Sequence, residues 1–197
     1  MNGGATYVEG WDIVERPRYP FKFYQGDALE VLRNPAYLRL FDLVHISPPC
    51  QAKCSLTAGT NKALAGRYVD LYPEVRDLMY ASGVPGVIEN PSARPDMVLC
   101  GEMFGLGVIR HRRFELVNWS AKAPEHIKHR GRVRGYRHGQ WFDGPYIAAY
   151  GNGGGKGSVT EMQEAMGIHW TDVREELTEA IPPAYTEHIA RQFLAQR

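Results

Sequence analysis

The stretch His45-Ile46-Ser47-Pro48-Pro49-Cys50-Gln51 decides how this chain is read, because an apolar run, Leu40 to Ile46, delivers a cysteine into a proline-stiffened turn. Two prolines fix φ near about −65° and remove two backbone donors, so the chain leaves the strand and sets the next side chain at a rim. Taken alone, Cys50 is either a reactive thiol or a buried structural cysteine after an ordinary turn, since free cysteines are commonly buried.

Downstream, residues 52–66 are polar, small and glycine-containing, as in a loop able to close over a substrate. A helix is expected over Tyr68 to Ala81, with Val69, Tyr72, Val75, Leu78 and Met79 on one face, followed by a buried strand, Val84 to Ile88, that runs into Glu89-Asn90-Pro91. Parallel strands separated by a helix are usually neighbours, which would bring Glu89 and Asn90 beside Cys50. Upstream, Tyr7 to Ile13 and Phe21 to Tyr24 read as strands, with Asp12 at the end of the first and Asp27 just after the second. Acids at strand ends in doubly wound sheets can meet ribose hydroxyls or an adenine amino group. Each can equally cap the next helix, and Asp27 stands where an N-cap for a helix from Ala28 would be.

The 197 residues, 44% of them apolar, suit one α/β core with inserts. Three cysteines, no signal-like opening and no spanning stretch point to a soluble, cytoplasmic chain without a disulfide framework or membrane contact. Net charge is only +1, yet residues 110–138 hold nine Lys/Arg against two acids, while residues 159–197 hold three against seven. The basic block interleaves Lys128, Arg130, Arg132, Arg134 and Arg137 with histidines and aromatics, which suits a polyanion-facing surface. A solvated basic loop would have the same composition.

Two tempting motifs fail. Gly151 to Ser158 lacks Walker spacing, because Lys156 is followed by Gly157 and not by Ser or Thr, so a hinge or a close backbone approach to phosphate fits better. Cys50 and Cys54 form C-x₃-C, but no second Cys/His pair at zinc-like spacing follows, so no metal site is expected. The C-terminal part reads as helices over Ser158 to Met166, with Ser158 and Glu161 as a capping box, over Thr171 to Ala180, and over Tyr185 to Leu194 after the Ile181-Pro182-Pro183 break.

In this order the motifs resemble the DNA cytosine-C5 methyltransferases, over about residues 3–197. Pro48-Pro49-Cys50-Gln51 looks like that family's nucleophile motif and Glu89-Asn90 like its glutamate motif. Arg110-x-Arg112 resembles the arginine pair that follows, with Val108 where the family has glutamine. Gln163 to Gly167 and Ala180-Ile181-Pro182-Pro183-Ala184-Tyr185 resemble late motifs of small phage- and bacterial-type members. The resemblance implies an α/β, Rossmann-like S-adenosylmethionine-dependent methyltransferase fold. Residues 1–117 would begin the catalytic domain, 118–150 would be a reduced target-recognition segment, and 151–197 would complete the domain with helices.

The implied chemistry explains the residue types. Cytosine C5 is a poor nucleophile until a thiolate, here Cys50, adds at C6. Glu89 would act at N3 as a general acid, Arg112 would contact O2 and Arg110 would order the site. The base must be flipped out of double-stranded DNA, with Gln51, Asn90, Asn152 and the basic residues named above on the substrate side. For S-adenosylmethionine, the resemblance implies Asp12 at the ribose, Ile13 against adenine, Asp27 and Ala28 at the adenine edge, and Gly4 and Pro48 lining the site.

One departure matters. The family begins with a strand, a Phe-x-Gly-x-Gly turn and a helix, whereas here Gly3-Gly4-Ala5-Thr6 runs within a few residues into Tyr7. That removes the expected seat for the methionine end of the cofactor and leaves a central sheet edge uncovered. An incomplete gene model, one part of a split enzyme, a catalytically silent DNA-binding member and self-association over the gap are all compatible with it.

Overall fold

Parallel strands β1 (Glu9–Asp12) and β2 (Lys22–Gln25) pair in a register that sets Trp11 opposite Tyr24, and the two rings stack 4.7 Å apart. The computed structural model describes residues 3–50, 68–150 and 156–197. Gln51, Asn152, the 52–66 loop, the glycine run 151–155 and the side chain of Arg137 lie outside the described residues. Asp27 accepts a hydrogen bond from the Leu29 amide at 2.9 Å and so caps α1 (Ala28–Leu32). The next turn, α2 (Pro35–Leu38), is capped by Asn34, and its Tyr37 hydroxyl donates to Glu9, tying the helix to β1.

The larger sheet is built from β3 (Val44–Ile46), β4 (Gly86–Glu89), β5 (Met97–Leu99) and β6 (Arg112–Val117), in the order β3-β4-β6-β5. β3 and β4 are parallel, with Ile46 opposite Ile88, while β6 runs antiparallel to both β4 and β5. The crossover between β3 and β4 ends in α3 (Tyr72–Ser82), four residues later than the sequence suggested, because Pro73 sits in the first turn, where its missing N–H costs nothing. Gly83, at φ 70°, closes that helix.

Helices cover both faces of this sheet. On one, Val75 and Met79 of α3 pack against Ile88 and Val117, with Leu32 and Leu38 in the same cluster. Tyr185 and Ile189 of α6 (Pro183–Leu194) pack on the other, against Val87, Phe114 and Leu116. Each such large side chain contributes about 1.5–3 kcal/mol by burial. Glu115 is buried beside α3 and is satisfied there: Arg76 Nε donates at 2.7 Å, Tyr80 at 3.0 Å, and the Tyr72 hydroxyl also donates.

Residues 118–150 are more ordered than their sequence implied. β7 (Gly135–Arg137) and β8 (Gln140–Phe142) form a hairpin around His138 and Gly139, both at positive φ (51° and 79°), the geometry of a two-residue type I′ turn. The expected boundary at residue 150 also moves. Tyr146 to Ala149 are buried, and Ile147 and Ala149 share a cluster with Val108, Met162, Met166 and Leu177, so this end of the segment belongs to the core. After it, α4 (Val159–Met166) carries the full capping box, with Ser158 Oγ accepting from the Glu161 amide and Glu161 accepting from the Ser158 amide at 2.8 Å. α5 (Arg174–Glu179) is shorter than expected, and Pro183 occupies the first position of α6.

Candidate active site

Strand direction brings the chemistry to one end of the sheet. The parallel strands β3 and β4 both finish there, and antiparallel β6 starts there, so residues 48–50, 89–90 and 110–112 converge. The Asn90 side chain, buried, donates through Nδ2 to the Pro48 carbonyl at 3.2 Å. That bond fixes the Pro-Pro-Cys turn against the end of β4, as the expected strand neighbourhood required. Asn90 also receives the Ser92 amide at 2.9 Å, so both ends of its amide are engaged, and its place is structural support for the turn. Pro48 is buried and Cys50 is partly exposed at the rim.

Glu89 faces Arg112. Nε of Arg112 lies 3.2 Å from Oε1 of Glu89 but lacks the alignment of a hydrogen bond, so the pair is a charge contact and Arg112 keeps a buried N–H without a partner among the described residues. Burial raises the Glu89 carboxyl above its ordinary value, although Arg112 and Arg110 pull the other way. Unsatisfied buried donors are uncommon in folded proteins and concentrate where a ligand completes the set.

Arg110 does something different. It has φ 38°, in the left-handed region, and its guanidinium donates to the carbonyls of Ala149 (2.5 Å), Thr178 (2.6 Å) and Ala180 (2.7 Å). Burial, and then the like charge of Arg112, pushes it down to about 9, still charged at neutral pH. It therefore orders the site by clamping its own turn to Ala149 and to the chain at Thr178 and Ala180, with most of its guanidinium donors engaged there. Tyr185, fully buried, adds a bond to the Arg110 carbonyl at 2.9 Å.

The residues expected around the cofactor are only partly assembled. Asp12 and Asp27 do emerge from neighbouring parallel strands, and Ile13 is 69% exposed, as a platform for a ring would be. Asp12, however, holds the Arg16 guanidinium at 2.9 Å and the Val14 amide at 2.9 Å. Asp27 is engaged as the cap of α1, with Ala28 opening that helix, and lines an open concavity of about 390 Å³ with Trp11, Gly26 and Tyr37. Gly4, at φ 89°, lies against Leu194 of α6, where an added Cβ would approach to 2.8 Å, so it serves packing of the amino-terminal residues.

The basic block is likewise divided. Arg130 is paired with the buried Glu102 at 2.6 Å, and Arg134 with Glu161, which removes two cations from the expected DNA surface. Lys128 is exposed, and Arg132 is exposed with its guanidinium 5.3 Å from the Phe142 ring centre. No metal site was expected, because no second Cys/His pair at zinc-like spacing follows Cys50 and Cys54; the fold nevertheless brings Cys100, His111, His126 and His129 together in space. Their sequence separations hid this, although His126-x₂-His129 was a readable signal. Comparison with protein-family models, with curated proteins and with solved structures finds no match to the chain. No described helix is long and apolar enough to cross a membrane.

Proposed function

We propose that the chain is a cytosine-C5 methyltransferase acting on double-stranded DNA, with Cys50 as nucleophile. The observation that carries this reading is the Asn90–Pro48 bond, which holds the cysteine turn beside a carboxyl raised by burial and an arginine with an unmade donor. A cytosine flipped into this end of the sheet would meet a thiolate for C6, an acid for N3 and a donor for O2. Addition of Cys50 at C6 with protonation or hydrogen bonding at N3 turns C5 into an enamine-like carbon. After C5 is alkylated, transfer of its proton to a water molecule acting as base and departure of the thiolate from C6 restore the aromatic ring and the enzyme. S-adenosylmethionine would supply an electrophilic methyl group in such chemistry, and its adenosine half would face Asp12 and Ile13 at the end of β1 and Asp27 and Ala28 just after β2, with Asp12 exchanging Arg16 for the ribose.

Sheet order supports a Rossmann-like fold. In doubly wound sheets the third, second, first, fourth and fifth strands lie side by side. Here β2-β1 and β3-β4 are each parallel neighbours, the pairs that order places on either side of its first strand. A second reading, a catalytically silent DNA-binding module or one part of a split enzyme, is favoured by the Arg16–Asp12 pair and by the unshared edges of β1 and β3 among the described residues.

Trapping on a duplex containing 5-fluorocytosine, with S-adenosylmethionine present, separates the two. The enzyme should form a covalent adduct, and Cys50→Ser should lose the adduct while still binding DNA. DNA binding by the wild-type chain without any adduct would sink the enzymatic reading. Calorimetric titration with the cofactor tests the adenosine site independently, and absence of heat would point to the silent or split protein.

A further inference from the structure

Sheet register sets up a second cluster, outside the candidate active site. β5 and β6 are antiparallel with Leu99 opposite Arg112, so the next pair outward is Cys100 and His111. Cys100 is fully buried. From the segment that follows β6, His126 and His129 fold back onto this pair. Sγ of Cys100 lies 3.2 Å from Nε2 of His129, Nε2 of His111 lies 2.8 Å from Nε2 of His126, and the ligand atoms of all four residues fall within 4.8 Å of one another. The three imidazole rings are about equally spaced, at 5.0, 5.2 and 5.0 Å between centres.

Pairs sharing a proton would account for two of these contacts, but not for the convergence of all four atoms on one small volume. A tetrahedral ion does. With Zn–N of about 2.0–2.1 Å and Zn–S of about 2.3 Å, ligand atoms stand roughly 3.3–3.7 Å apart, the middle of the observed spread. The backbone beside His129 is held in place: its neighbour Arg130 is tied to Glu102 at 2.6 Å and by its own amide to the Tyr146 hydroxyl at 3.3 Å.

We propose that Cys100, His111, His126 and His129 bind one zinc ion in a closed, four-ligand structural site that staples the 118–150 segment to the β5–β6 edge of the sheet. Four protein ligands leave no open position, so the ion would not do chemistry. It would instead hold the stretch around His126 and His129, which has no strand or helix of its own, to the sheet ahead of the β7–β8 hairpin.

The test uses the full chain. Metal analysis of protein purified without added metal should find about one zinc per chain, and cobalt(II) exchanged into it should give the visible bands of a tetrahedral ion and a near-ultraviolet sulfur-to-cobalt charge-transfer band. Cys100→Ser should abolish the charge-transfer band. Because Cys100 is buried, exposed His126 provides a second variant: His126→Ala should fold and weaken zinc binding by more than about 100-fold, beyond the ~10–100-fold usual for outer-shell partners. The Cys50→Ser/Cys54→Ser double variant should keep both the band and the zinc. Failure of the wild-type chain to take up zinc or cobalt overturns the proposal, as does metal binding that survives His126→Ala unchanged or vanishes with Cys50→Ser/Cys54→Ser.

Discussion

Glu89 and Arg110 show two opposite ways in which a charged residue lives near this site. Glu89 has its carboxyl raised above the ordinary value of 4.5 by burial. Its protonated form is therefore the better tolerated one in the folded state. The contribution is fully present below the unfolded-chain value and is lost as pH rises through the folded value. Glu89→Gln should accordingly be more stable than wild type at pH 7, and the advantage should vanish near pH 4, as read from paired thermal melts. The same substitution should slow adduct formation by about 10²–10⁴, the usual worth of a positioned acid. Arg110→Ala should instead cost about 3 kcal/mol or more in urea denaturation, because the carbonyls of Ala149, Thr178 and Ala180 lose charge-assisted bonds worth ~1.5–3 kcal/mol each. At this scale short motifs single out Cys50, Glu89 and Arg112 as candidates, and β3, β4 and β6 carry them to one end of the sheet. The motifs say nothing of partners: that Arg110 turns toward the carbonyls of Thr178 and Ala180 is set by the fold.

Elements were legible where a local rule fixes them. The capping box of α4 is written in Ser158 and Glu161, and the structure holds both of its reciprocal bonds. Ser158→Ala should therefore lower stability by about 1 kcal/mol, measurable as a shift in the denaturation midpoint. Asp27 as the cap of α1 and Gly167, at φ 67°, as the stop of α4 are equally local. The hairpin of β7 and β8 was missed because its turn uses His138 before Gly139, where Asn or Asp would have announced positive φ. That Tyr146 to Ala149, inside the expected target-recognition segment, are buried was missed for a different reason: four buried residues are too few for a period to declare itself against the basic sequence around them.

For the whole molecule, charge placement limits what the basic block can do. Arg130 and Arg134 are held by Glu102 and Glu161, so their loss should reduce stability more than it changes the salt dependence of DNA binding. Lys128 and Arg132 are the exposed cations left among the described side chains of the expected DNA contacts. Lys128→Gln and Arg132→Gln should each flatten the slope of log K against log salt by about 0.9, the share of one phosphate contact. Equal slopes in wild type and both variants would remove this face as the DNA surface. The segregation of charge was visible in the sequence. Its partial cancellation was not, because the pairs join residues 27 and 28 positions apart through the fold.

The placement of α6 has a consequence for how the protein is made. Its Tyr185 and Ile189 close the face formed by Val87, Phe114 and Leu116, its Leu194 lies against Gly4, and Gln192 reaches the Lys122 carbonyl. A nascent chain carries that apolar face, together with the strands that build it, for the whole time needed to add residues 117 to 183. The sheet thus stays without one of its two covers until α6 has been made, and the growing polypeptide must be shielded in the interval. Ribosome-bound chains stalled just before Pro183 should bind chaperone and be cut readily by protease, whereas chains released with α6 intact should resist both.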